Sequence, residues 1–384
     1  MTSRAATSGP GRVALVHDYL TQYGGAEAVL EALHALWPGA PVFTTLYDAP
    51  LMRRLGFRVP SSAIYPLLPR AFRLPGRAAK VWTPIYPLVF RRLDLGGFDT
   101  VISSTSFAAH QVQVPPGAVH VAYCHSPPRF LYGLSSEVDH ARLRARVPGL
   151  GAAYRLLREL DRQAARRVTA FVANSEVVRR RILRFYGRDA RVIYPPVPTR
   201  AFAGARLDAG ADYFFTWSRL VASKRIDIIV EAANRGRLPL LVAGDGPEEA
   251  RLRAMAGPTV AFAGRPARAT LLRLIERCRA VVFAAEEDFG MVPVEAMAAG
   301  KPVVAYGAGG ARETVVPGVT GEWFPVQTPE ALLSALRAFD PRRYDPLQCR
   351  SRAAAFDQDM FMEHMARFVE AVSRHGVATS GRFE

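Results

Sequence analysis

Short apolar runs alternate with amphipathic stretches along most of the chain. Arg12–His17 reads as a first strand, followed by a polar loop through Gly24-Gly25 and a helix over Ala26–Leu33. Similar runs recur at Thr100–Ser104, His120–His125 and Thr169–Asn174, with helical patterns over Arg155–Arg167 and Glu176–Phe185. These runs carry apolar residues at successive positions instead of every second one, as strands covered on both faces do. Strands that alternate with helices predict a parallel sheet flanked by helices.

The pattern breaks and then restarts. Arg191–Tyr194 runs into Pro195-Pro196-Val197-Pro198, a stiff segment that predicts an interdomain linker. Beyond it, strands are expected from Tyr213, at Leu238–Ala243, Val260–Phe262, Ala280–Phe283, Pro302–Ala305 and Glu322–Phe324. Phe361–Val372 is amphipathic at the helical period. The expected organisation is a tail over 1–11, one α/β domain over 12–197 joined by about 357–384, and a second over 198–356.

Composition narrows the class. A chain of 384 residues exceeds the size at which one core keeps growing, and 49% hydrophobic residues can fill two. Cys124, Cys278 and Cys349 are odd in number and far apart, so a disulfide framework is not expected and a reducing cytoplasm fits. The tail over 1–11 is small and polar, unlike a signal peptide, and no run approaches the ~18 apolar residues of a membrane span. Many Arg and few Lys suggest a GC-rich bacterial genome.

Charge is uneven. Residues 1–200 hold 27 Lys and Arg against 12 Asp and Glu, or +15 of the net +16. That asymmetry points to an acidic partner: anionic lipid, a lipid diphosphate or nucleic acid. Tyr65–Trp82 and Ile85–Arg92 mix basic with aromatic and aliphatic residues, as a segment at an acidic bilayer surface does. Two buried helices with exposed Arg account for the same pattern. Nucleic-acid binding has charge alone behind it, without a recognised motif.

The chemistry concentrates after the apolar run Arg279–Ala284. Glu287 lies in an acidic loop, and Glu295 follows after seven intervening residues. Pro293 suits the first position of a helix, Gly300 its left-handed stop, and Glu295 then belongs to the first turn. The amides of Gly290, Met291 and Val292 would leave that helix start as anion donors. Upstream, Arg219 and Lys224 flank another strand-to-helix loop, where cations can offset charge on a leaving diphosphate. Gly24-Gly25 stands at the first strand-to-helix turn, and Gly244-Asp245-Gly246 lacks the rest of a dinucleotide fingerprint. No metal pattern emerges, and Asp357-Gln358-Asp359 reads as the cap of the last helix.

The segment Glu286-Glu287-Asp288-Phe289-Gly290 through Glu295 resembles the signature of the retaining glycosyltransferases of family 4, in the branch that includes GDP-mannose-using enzymes of bacterial polysaccharide assembly. Many members have Gly after the first Glu, where this chain has Asp288. The resemblance implies the GT-B fold, two Rossmann-like parallel-sheet domains facing across a cleft. It implies that Glu287 contacts the donor sugar, that the Phe289, Gly290 and Met291 amides hold sugar and diphosphate, and that Glu295 holds the ribose. It further implies that Arg219 and Lys224 grip the diphosphate beneath the Gly24-Gly25 loop, and that His125 stands beside the reacting sugar. Arg129, in the same loop, is expected to contact an acceptor phosphate.

The expected reaction moves a sugar, mannose from GDP-mannose first, to a lipid-linked saccharide, with neither metal nor cofactor. The expected setting is the cytoplasm, at the inner face of an anionic membrane. The competing readings are a sugar-nucleotide epimerase or hydrolase of the same fold, and a non-catalytic binder of membrane or nucleic acid.

Overall fold

A computed structural model describes residues 10–57, 85–134, 149–207 and 212–375. The chain divides into two compact units, Met1–Pro196 with Phe361–Glu384, and Val197–Met360. Each is built on one parallel sheet of six strands.

In the first unit the strands are β1 (Val13–His17), β2 (Val42–Thr44), β3 (Thr100–Thr105), β4 (Val119–Cys124), β5 (Ala170–Ala173) and β6 (Ala190–Val192). Their order is β2-β1-β3-β4-β5-β6. Alternation along β1 feeds two cores. Val13 and Leu15 pack with the helix Gly25–Leu36, while Ala14 and Val16 pack with Tyr86, Phe90 and Phe107. Burial on both faces is why β1 has no solvent-facing polar side. The helix Gln358–His375 adds Phe361, Met365, Phe368, Val369 and Val372 to the first of these cores.

The second unit holds β7 (Tyr213–Trp217), β8 (Leu240–Ala243), β9 (Val260–Gly264), β10 (Cys278–Phe283), β11 (Val303–Tyr306) and β12 (Gly321–Phe324), in the order β12-β11-β10-β7-β8-β9. Phe214, Val242, Val282 and Val304 pack against the helices Ile226–Gly236 and Pro329–Ala338. In both sheets the order reverses at one place: between β1 and β3, and between β7 and β10. Open α/β sheets bind ligands at that reversal, beyond the carboxyl ends of the strands.

Several local expectations shift. The helix after β10 is Met291–Ala298 with Gly290 as its N-cap, so Pro293 occupies the third helical position. Its missing N–H costs nothing there, because the first turn has no intrahelical acceptor to give it. Glu295 falls in the second turn for the same reason. Asp357 does cap the last helix, its carboxylate accepting from the Asp359 N–H at 3.0 Å. Strand β2 and the helix Ala49–Leu55 were not foreseen. Tyr65–Trp82 lies outside the described residues. Within Ile85–Arg92, Tyr86, Val89 and Phe90 are buried in the core and Leu88 is exposed.

Candidate active site

In the second unit, β7 ends at Trp217 and the chain turns through Ser218–Val221 into a 3-10 turn over Ala222–Lys224. Arg225 then takes φ 52°, a left-handed conformation costing a non-glycine residue about 1 kcal/mol. Its guanidinium donates to Asp227 Oδ1 at 3.2 Å and to Gln327 Oε1 at 3.0 Å, and Gln327 Nε2 donates to the Ala284 carbonyl at 2.7 Å. Gln327 thus bridges the turn after β7 to the chain leaving β10. Lys224 sits one residue before that anchor and Glu287 three residues after Ala284.

The result is direct contact at the strand-order reversal. Lys224 Nζ donates to Glu287 Oε1 at 2.5 Å, with both side chains about a quarter exposed. Exposed pairs of this kind add little to stability. Their joint position, with accessible opposite charges, is the more informative property.

Backbone packing holds this geometry. The Gly310 N–H donates to the Glu287 carbonyl at 2.9 Å. A Cβ on Gly309 would lie 2.2 Å from the Glu287 carbonyl oxygen, and one on Gly310 2.2 Å from that of Phe289. The loop after β8 does the same for the Arg219 segment. The Leu220 N–H donates to Asp245 O at 2.7 Å, and a Cβ on Gly244 would stand 1.8 Å from Ser218 O. The Gly244-Asp245-Gly246 fragment is therefore a packing device. Its glycines and the Gly309-Gly310 pair admit main chain where any side chain would collide.

Glu295 projects from the helix after this loop. Trp217 Nε1 donates to its Oε2 at 3.3 Å. Burial is the main reason its carboxyl is pushed up to about 7; Glu287 adds to the rise, while the Trp217 N–H and the Arg268 charge oppose it. The indole partner was missed because Trp217 sits in an apolar run that reads as core. Phe289 is buried against Phe356, ring centroids 5.6 Å apart, so its side chain is structural and its backbone alone can serve a ligand. Gly290 takes φ 82°, and a Cβ there would press on the Phe283 ring at 3.0 Å. Met291 and Val292 are part-exposed at the helix start.

In the first unit, the corresponding reversal gathers histidine, serine and carboxylate side chains. His17 ends β1, Ser104 lies near the end of β3 and His125 follows β4. Ser104 Oγ is 3.1 Å from His17 Nδ1 and 2.8 Å from His125 Nε2. The His125 N–H donates to Thr105 O at 2.8 Å and its carbonyl accepts from Asn174 Nδ2 at 3.1 Å, so its backbone is pinned from two neighbouring segments. Asp18 is buried and accepts from the N–H groups of Ser106, Phe107, Ala108 and Ala109. Gly24 and Gly25 are exposed at the start of their helix, with neither at positive φ. Arg129 is part-exposed in the following loop. Asp18, His17, Ser104 and Glu27 had been overlooked, although buried polar residues at strand ends are the signal that finds them.

Among the described residues no cluster of three or more His, Cys, Asp or Glu is arranged to hold a metal. Likewise, no described helix is long and apolar enough to cross a membrane.

Known proteins extend these observations. The family model for Glycosyltransferase Family 4 matches residues 23–201, and that for Glycosyl transferases group 1 matches residues 199–348. A GDP-mannose-dependent alpha-mannosyltransferase of Mycobacterium tuberculosis is 37% identical over 109 residues, 28% of this chain and 29% of the relative. A D-inositol 3-phosphate glycosyltransferase of Kineococcus radiotolerans is 29% identical over 238 residues, 51% of this chain and 55% of the relative. The chain therefore spans about a third to about half the length of these relatives.

Among solved structures, Anabaena HepE in complex with UDP superposes with TM-score 0.68 at 20% identity, covering 94% of this chain and 100% of that one. Sucrose-phosphate synthase of Thermosynechococcus elongatus gives TM-score 0.66 at 20% identity, over 94% and 99%. Likeness at that identity concerns the fold. With family models in succession over residues 23–348 and a fold shared along nearly its whole length, this chain belongs to glycosyltransferase family 4 and has the GT-B fold.

Proposed function

We propose that the protein is a retaining glycosyltransferase that moves a sugar from a nucleoside diphosphate to a lipid-linked saccharide, with mannose from GDP-mannose as the favoured donor. The observation that carries this reading is the contact of Lys224 with Glu287 at the β7/β10 reversal, with Glu295 on the adjoining helix. A sugar diphosphate presents the two chemistries this pair can answer. Its hydroxyls suit the Glu287 carboxylate, and its phosphates suit Lys224 and Arg219. Glu295 can accept from ribose hydroxyls once ionised.

In the reaction the acceptor oxygen bonds to the anomeric carbon on the face the diphosphate leaves. The carbon–oxygen bond to the diphosphate breaks, and the acceptor proton passes to the departing phosphate oxygen. Lys224 and Arg219 stabilise the charge that grows there, the kind of term worth about 3–4 kcal/mol per donor in comparable sites. Glu287 orients the sugar and eases positive charge at its ring.

The mannose assignment draws on the mycobacterial relative and on the Glu-Glu-Asp-Phe-Gly signature. The excess charge of residues 1–200 supports an acidic, lipid-linked acceptor at the inner face of a membrane.

The test is a thermal-shift and calorimetric screen of nucleotide sugars, then mass detection of product with lipid-linked acceptors. Binding of GDP-mannose and acceptor-dependent mannosyl transfer that persists in a chelator is the expected result. Product formed equally well without acceptor would replace transfer with hydrolysis or epimerisation. Failure to bind any nucleotide sugar would end the proposal.

A further inference from the structure

The reaction above gives Lys224 to a phosphate and Glu287 to a sugar hydroxyl, yet the chain also gives each to the other. Lys224 Nζ donates to Glu287 Oε1 at 2.5 Å, with both side chains about a quarter exposed. Both main chains are anchored. The Glu287 carbonyl accepts from the Gly310 N–H at 2.9 Å, and Gly309 packs against it. Lys224 adjoins Arg225, whose guanidinium is tied through Gln327 to the Ala284 carbonyl. An anion that takes Lys224 therefore meets a carboxylate that the loops hold in place.

An ammonium has three N–H donors. Two acceptors on one such nitrogen lie roughly 4–5 Å apart at ordinary hydrogen-bond lengths. A phosphate oxygen on Lys224 thus either displaces Glu287 or stands beside it, where two negative charges repel. What offsets that cost depends on the ligand. A nucleoside diphosphate sugar brings hydroxyls that can donate to the carboxylate. A free nucleoside diphosphate has no such sugar. It also carries more charge, because its terminal phosphate loses a second proton with a pKa of about 6, as phosphate monoesters do. On charge alone, Lys224 and Arg219 would hold that product more tightly than the donor. A carboxylate paired with one of those cations opposes the bias.

We propose that Glu287 is an internal competitor for Lys224. It yields the cation to a sugar diphosphate, whose hydroxyls compensate it, and reclaims the cation from the free nucleoside diphosphate that transfer leaves behind. The pair thereby selects donor over product and speeds product departure. That selection rests on the function proposed above; the competition requires only that a diphosphate binds Lys224.

The experiment is calorimetry on the full chain with GDP and UDP, set against GDP-mannose and UDP-glucose. Glu287→Gln is expected to raise affinity for the free diphosphate about fivefold, the upper end for a part-exposed ion pair. Affinity for the sugar diphosphate is expected to stay level or fall. Glu287→Ala should match the gain on the free diphosphate. Release of a fluorescent analogue of that nucleotide, followed by stopped flow, should slow by the same factor, since affinity differences within one site lie mostly in dissociation. In a Lys224→Met background the gain from Glu287→Gln is expected to shrink below about twofold. That cycle separates competition for Lys224 from a general effect of removing one negative charge. Matched thermal melts check that each variant is folded.

Equal or weaker diphosphate binding in both Glu287 variants would overturn the proposal. So would a gain that survives in the Lys224→Met background, an equal gain for the sugar diphosphate, or failure of every one of these chains to bind either diphosphate. If the gain behaves as expected and the wild type transfers no sugar to any acceptor, the reaction assignment fails and the competition for Lys224 stands.

Discussion

The two units solve one problem in different ways. Both must hold loops at the reversal of a parallel sheet of six strands. The second unit adds to its Gln327 bridge a clamp of main chain against main chain, through Gly244, Gly309 and Gly310, and places Lys224 on Glu287 between those loops. The first unit does it with side chains. Asp18 gathers four backbone N–H groups, and Ser104 joins His17 to His125. Of its glycines, Gly117 and Gly133 meet nothing within 4 Å. A loop clamped by backbone resists almost any substitution. A loop held by side chains can be retuned one hydrogen bond at a time.

The sharpest test of the contrast is charge. Lys224→Ala is expected to lower turnover by about 100–1000-fold, as loss of one preorganised donor to a developing anion does. Folding should be nearly unaffected, since the pair is part-exposed. Steady-state rates with a matched thermal melt separate the two, and near-normal turnover would leave the second reversal without an electrostatic role.

Next comes the glycine clamp. Gly310→Ala must displace the Phe289 carbonyl and is expected to destabilise the second unit by about 3 kcal/mol, within the range for overpacking. Gly117→Ala, at φ 83° in open space, should cost about 1 kcal/mol. Urea titrations of both variants measure the difference, and equal losses would erase the distinction between the units.

Asp18→Asn probes the side-chain solution. Oδ2 accepts from Ser106 and Phe107, and Oδ1 from Ala108 and Ala109, so an amide must turn its NH2 toward facing donors. A loss of about 2 kcal/mol is expected in the first unit, because a buried donor is left unsatisfied. Hydrogen exchange at 106–109 should rise with it. Unchanged protection there would show that the loop is held by something else.

The smallest effect concerns pH. Burial raises the Glu295 carboxyl from 4.5 to about 7, so the folded chain keeps a proton that the unfolded chain releases. Stability from this group is full below about 4.5 and is lost as pH rises toward 7. Allowing for partial exposure, the change is about 2 kcal/mol. Glu295→Gln should flatten that slope in melts taken across the window. Nucleotide affinity should move oppositely, strengthening as Glu295 ionises.

Much of this was legible before any coordinates. Apolar runs such as Ala280–Phe283 marked strands buried on both faces, and Gly300 marked a helix stop at φ 77°. Glu287 and Glu295 stood out as two carboxylates spaced across a strand-to-helix loop, and Arg219 and Lys224, ordinary surface charges if taken alone, gained weight from that pair and from the resemblance to family 4. Less visible were β2, which is three residues long, and Trp217, whose indole contact with Glu295 spans 78 residues of sequence. His17, Glu27 and Ser104 gave no signal in isolation, since each is ordinary in its own segment.

By itself the sequence determined the local elements, their alternation and the residues able to carry charge at the strand ends, because periodicity and turn chemistry act over a few positions. Strand order came only with the tertiary structure. That order decides which loops become neighbours, and hence that Lys224 meets Glu287 and that one serine joins two histidines. Such contacts are set by the packing of distant segments, and no short-range pattern encodes them.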